Sequence, residues 1–245
     1  ILKRVLQFAP ERTLPMLYKT TLKHWIGRYN RKNKGQTVGK VLLFADEFTN
    51  YMDVEIGMKM VELLDRLGYE VVIPKHVESG RTAISKGMLK VARKVARKNV
   101  MLLKNIVSEN VPLVGIEPSC ILSFRDEYPD LVGEELKEEA VRLGKNCLLY
   151  DEFFVREIRA GRIRVEQFTD QPLNILLHGH CHQKSLASVE PSREMLSLPV
   201  NYKVEVIPSG CCGMAGAFGY EKKHYELSMK IGEQVLFPEG ITSTL

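Results

Sequence analysis

Leu176-Leu177-His178-Gly179-His180-Cys181 falls on Leu42-Leu43-Phe44-Ala45-Asp46-Glu47 when the chain is laid over itself. The same overlay brings Ile207-Pro208 near Ile73-Pro74, and Cys211-Cys212-Gly213 onto Glu78-Ser79-Gly80. Glu47 to Gly80 is 33 positions and Cys181 to Gly213 is 32. A repeat at this separation marks a duplicated supersecondary unit. Each copy opens on a short apolar run, Val41-Leu42-Leu43-Phe44 or Ile175-Leu176-Leu177, of a length that suits a buried strand. Each closes on a second run ended by proline, Val71-Val72-Ile73 or Val204-Glu205-Val206-Ile207.

Between and around these strands the periodicity predicts helices. One spans about Val54 to Leu67 and is stopped by Gly68. A long one carries Ile84, Met88, Val91, Val95, Leu102 and Ile106 on its apolar face, with Lys86, Lys90, Arg93, Lys94, Arg97 and Lys98 on a solvated face. Leu113-Val114-Gly115-Ile116 reads as a further strand, and a last helix is expected from about Ala215 to Val235. The expected fold is α/β, with two pseudo-symmetric strand–helix repeats, small and mainly parallel sheets, and an N-terminal helical segment. Four segments follow from this reading: 1–39, a basic leader of two helices broken at Pro10 and Pro15, with a linker over Lys34–Gly39; 40–132, the first repeat; 133–172, a helical connector; and 173–245, the second repeat.

Composition narrows the function classes. The first forty residues hold ten Lys or Arg and one acid, Glu11, for a local charge of +9 within a total of +5. Such a leader fits a solvated linker, docking on an acidic neighbour, or peripheral contact with an anionic membrane. Nucleic acid is not expected, because Trp25 and Tyr29 form no repeating stacking platform. No apolar run reaches eighteen residues and no secretory pattern is present, so a cytoplasmic protein is expected, at most peripheral on the inner face of the membrane. The chain begins at Ile1 and reads as an excerpt of a longer protein.

Five cysteines, an odd number with one adjacent pair, argue against a disulfide scaffold. His178-Gly179-His180-Cys181-His182-Gln183-Lys184 and Ser209-Gly210-Cys211-Cys212-Gly213 carry the metal signal. Thiolates suit iron–sulfur clusters or zinc. The flanking glycines let the backbone turn sharply beside a sulfur, and amides of a following helix would face it. Cys147 reads instead as a small buried residue within a helical stretch. His178, His180 and His182 alternate along the chain; they read as hydrogen-bonding support, with a zinc site on Cys181 as the alternative. Lys184 and Arg81 are candidates for neutralising ligand charge. Gly213, Gly216 and Gly219 imitate a dinucleotide fingerprint only in spacing, because cysteines fill the phosphate turn.

These motifs resemble the cysteine-rich CCG-domain proteins. That family includes components of heterodisulfide reductase, of anaerobic glycerol-3-phosphate dehydrogenase and of glycolate oxidase, the last through its iron–sulfur subunit. The likeness is strongest to the C-terminal part of fused FAD/iron–sulfur dehydrogenases of the D-lactate and D-2-hydroxyglutarate type. It rests on Phe44-Ala45-Asp46-Glu47-Phe48-Thr49-Asn50-Tyr51, Gly115-Ile116-Glu117-Pro118-Ser119-Cys120, His180-Cys181-His182-Gln183-Lys184, Cys211-Cys212-Gly213-Met214-Ala215-Gly216 and Phe218-Gly219-Tyr220-Glu221, across about residues 40–238.

The resemblance implies an iron–sulfur cluster, of 4Fe-4S type, on Cys181, Cys211 and Cys212 with Cys120 as fourth ligand. His180, His182 and Gly213 would support it, and zinc is the alternative metal. It also implies FAD on a domain outside this chain, with flavin and ferredoxin-like domains or subunits as partners, and a quinone, disulfide or other carrier as acceptor. Two departures matter. Asp46-Glu47 and Glu78-Ser79-Gly80 replace the first repeat's cysteines, so no cluster is expected there, and the final cysteine motif of the second repeat, expected beyond Pro238, is not in the sequence. The implied role is an electron-transfer module of a 2-hydroxy-acid dehydrogenase-like enzyme, not catalytic by itself. The rival readings are a zinc-stabilised or metal-free docking scaffold, and a thiol–disulfide site at Cys211/Cys212.

Overall fold

The computed structural model describes residues 2–31, 35 and 37–242. It comprises two compact units, Leu17–Phe168 and Ile1–Met16 with Thr169–Leu245. The expected linker over Lys34–Gly39 lies partly outside the described residues, at Lys34 and Gln36.

Leu17–Phe168 is built on a parallel sheet of β1 (Gly39–Phe44), β2 (Tyr69–Val72), β3 (Leu113–Gly115) and β4 (Cys147–Leu149), in the order β2-β1-β3-β4. Val41, Leu42, Leu43 and Phe44 are all buried, as a central parallel strand covered on both faces demands. The expected helix forms as Val54–Arg66, and Gly68 leaves it at φ +94°. Behind Phe44 the rings of Phe124 and Tyr128 continue the core, with Phe124 edge-on to Phe44 at 5.1 Å and 4.4 Å from Tyr128. Glu157, buried in the same unit, accepts from the Tyr69 hydroxyl at 2.6 Å and pairs with Arg156 and Arg162. A buried carboxylate so partnered stays charged, and these partners hold its pKa below the ordinary range despite its burial.

Two expectations for this unit are corrected. Cys147 opens β4 and pairs with Leu113, so the connector contributes a strand and Cys147 is a strand residue. The long helix is two, Arg81–Ser85 and Leu89–Leu103, separated at Gly87, whose φ of +69° no right-handed helix contains. Its buried stripe is Ala92, Ala96, Asn99, Val100 and Leu103, while Met88, Val91 and Ile106 are exposed. The basic face is solvated as expected, with Lys86, Lys90, Arg93, Lys94 and Lys98 exposed and Arg97 paired with Glu135.

In the other unit β5 (Leu173–Leu177) and β6 (Tyr202–Val206) pair in parallel, Leu173 opposite Tyr202 through Leu177 opposite Val206. This repeats the parallel pairing of β1 with β2, Gly39 opposite Tyr69, and bears out an α/β fold of small parallel sheets. The expected helix over 215–235 is confined to Tyr225–Glu233, because Ala215 and Gly216 have φ of +38° and +63° and the chain then passes through two short 3-10 turns, Phe218–Tyr220 and Lys222–His224. The leader's helices are also short, Leu2–Val5 and Leu22–Ile26. Among the described residues no helix is long and apolar enough to cross a membrane.

Candidate functional site

Parallel strands deliver their following loops to one edge of a sheet, and α/β proteins place chemistry there. β5 leads through His178 and Gly179 to the helix Cys181–Leu186; β6 leads through Ser209 and Gly210 to Cys211-Cys212-Gly213. Two side chains tie these loops together. The Lys184 ammonium donates to the carbonyl oxygens of Ser209 (2.7 Å) and Gly210 (2.6 Å), and His178 Nδ1 lies 2.5 Å from Ser209 Oγ. Burial, then the Lys184 charge, lowers the pKa of His178 and favours its neutral ring. His180 caps the helix, its Nδ1 accepting from the His182 amide at 3.2 Å. Gln183 fixes the far side through Ser188 O (3.0 Å) and Ser192 Oγ (2.9 Å).

Lys184→Met is expected to remove both charge-assisted bonds and to weaken the loop locally by about 1–2 kcal/mol. Amide hydrogen exchange over 207–213 is the check: protection there should fall while Leu17–Phe168 is unaffected. Unchanged exchange would mean that the loop holds itself.

All five cysteines are free; Cys181 is exposed and Cys211 and Cys212 are half-buried. The Gly213 amide donates to Cys211 Sγ at 3.3 Å. Sequence reasoning puts such amides on a following helix, whereas the donor lies within the turn. Gly213 sits at φ +82°, and a Cβ there would stand 2.2 Å from the Ser228 carbonyl oxygen. Beside the cysteines, Gly210 and Gly216 face open space. Three soft sulfurs, an amide aimed at one of them and glycine-cleared space are a donor set that fits a thiophilic metal or cluster. Among the described residues no three His, Cys, Asp or Glu side chains are already arranged around a common metal position.

Cys120 lies in the other unit, fully buried after Pro118. Burial, then the charges of Asp46 and Glu47, pushes its thiol far above the usual range. Here, at the ends of β1 and β3, the replaced residues bond to one another. Glu47 accepts from the Ser79 amide (2.9 Å) and hydroxyl (2.6 Å), and Glu117 accepts from the Ser119 amide (3.1 Å) and hydroxyl (2.6 Å). Buried Tyr128 donates to Ser79 O at 2.8 Å and accepts from Asn99 at 2.9 Å. The Glu78-Ser79-Gly80 turn is thus held by side-chain hydrogen bonds where its counterpart carries thiols.

An α/β chain of duplicated parallel strand pairs, with free cysteines on the loops of the second pair, is the class that fold and site define. Curated relatives specify it further. The chain is 30% identical to D-2-hydroxyglutarate dehydrogenase of Escherichia coli K12 over 202 residues, covering 82% of this chain and 19% of that protein. It is 26% identical to the C-type subunit of anaerobic glycerol-3-phosphate dehydrogenase of the same organism over 234 residues, 95% of this chain and 57% of that one. Lactate utilization protein A of Bacillus subtilis is 29% identical over 186 residues, 73% and 74% of the two chains. These homologues match the CCG-domain family that the sequence resembles, over most of the chain. The chain spans about a fifth of the length of the D-2-hydroxyglutarate dehydrogenases it matches. No family model and no solved structure matches it.

Proposed function

We propose that this chain is the electron-transfer module of a larger flavin-linked oxidoreductase, with Cys181, Cys211 and Cys212 holding an iron–sulfur cluster and Cys120 as a further candidate ligand. The observation that carries the reading is the joining of the two cysteine loops by Lys184 and His178, with the Gly213 amide on the Cys211 sulfur. Two of the similar proteins are named as dehydrogenases, one of them as a subunit, which supports an oxidoreductase of several parts. Such a cluster, when bound, takes up and returns single electrons.

The chain's own residues set the conditions for that exchange. The Gly213 N–H lowers the electron density on the Cys211 sulfur, and the Lys184 ammonium lies against the loop that precedes it; both favour the reduced form. Substrate oxidation, of a 2-hydroxy acid by likeness to the dehydrogenases, belongs to an FAD-bearing domain or subunit. A quinone, a disulfide or another carrier takes the electrons onward. A cytoplasmic position with peripheral contact at the inner membrane face agrees with the basic leader.

Anaerobic reconstitution with iron and sulfide, followed by metal analysis and EPR, tests the proposal. The wild type should bind iron and sulfide, and Cys211→Ser or Cys212→Ser should lower bound iron at least fivefold. Zinc in stoichiometric amount without iron would move the reading to a scaffold. A metal-free protein whose Cys211 and Cys212 cycle as a disulfide would move it to thiol–disulfide exchange.

A further inference from the structure

The basic leader has the composition of a solvated linker or docking arm, yet part of it is built into the cysteine-bearing unit. Gln7 and Ala9 exchange backbone bonds with the segment just after the Cys-Cys-Gly turn: Ala9 N donates to Tyr220 O and Lys222 N to Gln7 O, each at 2.8 Å. Phe8 forms an antiparallel bridge with Glu221, its ring lies 5.8 Å from that of Tyr220, and Ala9 is fully buried. Arg12 then reaches inward. Its Nε donates to Gly219 O at 2.9 Å and its Nη2 to Ser228 Oγ at 3.0 Å, with Met229 Sδ at 3.6 Å and the Tyr225 ring 5.2 Å below the guanidinium.

Gly219 and Ser228 are the walls of the cysteine turn. Gly213 packs on the Ser228 backbone so closely that a Cβ would fall 2.2 Å from its carbonyl oxygen. Gly219 returns its amide to Met214 O at 2.8 Å, and a Cβ there would meet Met214 Cα and Ser228 Oγ, each at 2.9 Å. Cys212-Gly213-Met214 is therefore seated between the 3-10 turn Phe218–Tyr220 and the helix Tyr225–Glu233, and one guanidinium bonds to both. Arg suits this place because its planar fork satisfies two acceptors at fixed angles, which a lysine does not.

We propose that residues 7–12 are a strap that closes the Cys-Cys-Gly turn, with Arg12 as its positioning residue. The consequence for metal loading rests on the cluster reading; the geometry of the turn does not. The strap sets how far the Cys211 and Cys212 sulfurs are exposed and how reproducibly they are aimed. An N-terminal segment distant in sequence thereby becomes part of the site.

The test uses the full chain, reduced and metal-free, with timed iodoacetamide labelling read at each cysteine by peptide mass spectrometry. Arg12→Met should raise the labelling rate of Cys211 and Cys212 about fivefold or more relative to Cys181, and hydrogen exchange over 212–220 should quicken in step. Arg12→Lys, which keeps the charge but not the fork, should fall between. If Arg12→Met unfolds the whole unit, Arg12→Lys alone decides. Equal labelling ratios in wild type and Arg12→Lys, with unchanged exchange, would overturn the strap. In reconstituted protein, Arg12→Met should broaden the EPR signal at equal iron content. A wild type that binds no iron would sink the cluster reading, and the labelling ratios would still decide the strap.

Discussion

Gly213→Ala is expected to destabilise the cysteine-bearing unit by about 3 kcal/mol or more and to leave it unable to hold iron after reconstitution. Two costs combine. The left-handed backbone at φ +82° is disfavoured for any residue with a Cβ by about 1–2 kcal/mol. The new methyl would also stand 2.2 Å from the Ser228 carbonyl oxygen, a backbone atom in the helix Tyr225–Glu233 that no rotamer change can move. Forcing such a contact apart typically costs a further 1–3 kcal/mol or so. The turn must swing away from the helix, and the Gly213 amide leaves the Cys211 sulfur with it. Gly210→Ala supplies the control, because Gly210 has open space around it and no positive φ. Hydrogen exchange of Tyr225–Glu233 should quicken and iron per chain should fall in Gly213→Ala, and both should stay near wild type in Gly210→Ala. Equal behaviour of the two variants would show that the glycine serves flexibility and not fit.

The repeat was legible because each half announces itself by a short apolar strand, a proline-stopped second strand and a glycine turn. Those are local signals, and β1, β2, β5 and β6 form where they point. β4 was not legible: Cys147-Leu148-Leu149 is only three residues long, flanked by helical patterns, and becomes a strand because the β3 edge is there to pair with it. The helix over 84–106 misled for a different reason. Its large residues Met88, Val91 and Ile106 outweigh its alanines in any periodicity, but close packing chose the small face of Ala92 and Ala96. At the site, residue types gave the cysteines and glycines, and Lys184 only as a charge near them. That Lys184 bonds the neighbouring loop, and that Arg12 reaches Gly219 and Ser228, are long-range facts with no motif to mark them.

The rebuilt first half has a titration of its own, and two substitutions should expose slopes that oppose each other in the wild type. Asp46 caps the helix Glu47–Tyr51, accepting from Phe48 N (2.9 Å), Thr49 N (3.0 Å) and Thr49 Oγ1 (2.6 Å), and is fully buried. Burial raises its carboxyl from 3.8 to about 6, against those hydrogen bonds. His76 is buried against Phe44, ring centroids 4.5 Å apart, and burial lowers it from 6.5 to about 4. For Asp46 the folded state holds its proton more tightly than the unfolded, so its contribution is full below pH 3.8 and is lost as pH rises through 6. For His76 the unfolded state holds the proton more tightly, so its contribution is full above pH 6.5 and is lost as pH falls toward 4.

Each change is worth about 3 kcal/mol across its range, and the two windows nearly coincide, so they cancel in the wild type. Asp46→Asn, which keeps a capping oxygen, should gain on the wild type as pH rises from 4 to 6. His76→Phe, which keeps a ring against Phe44, should gain on it as pH falls from 6.5 to 4. Trp25, the single tryptophan, packs on the core of this unit, so its fluorescence in urea reports the unfolding of Leu17–Phe168. A difference from wild type that stays constant from pH 4 to 7 in either variant would mean that the corresponding group titrates alike in the folded and unfolded chain, and that its burial is relieved by water reaching the ends of β1 and β2.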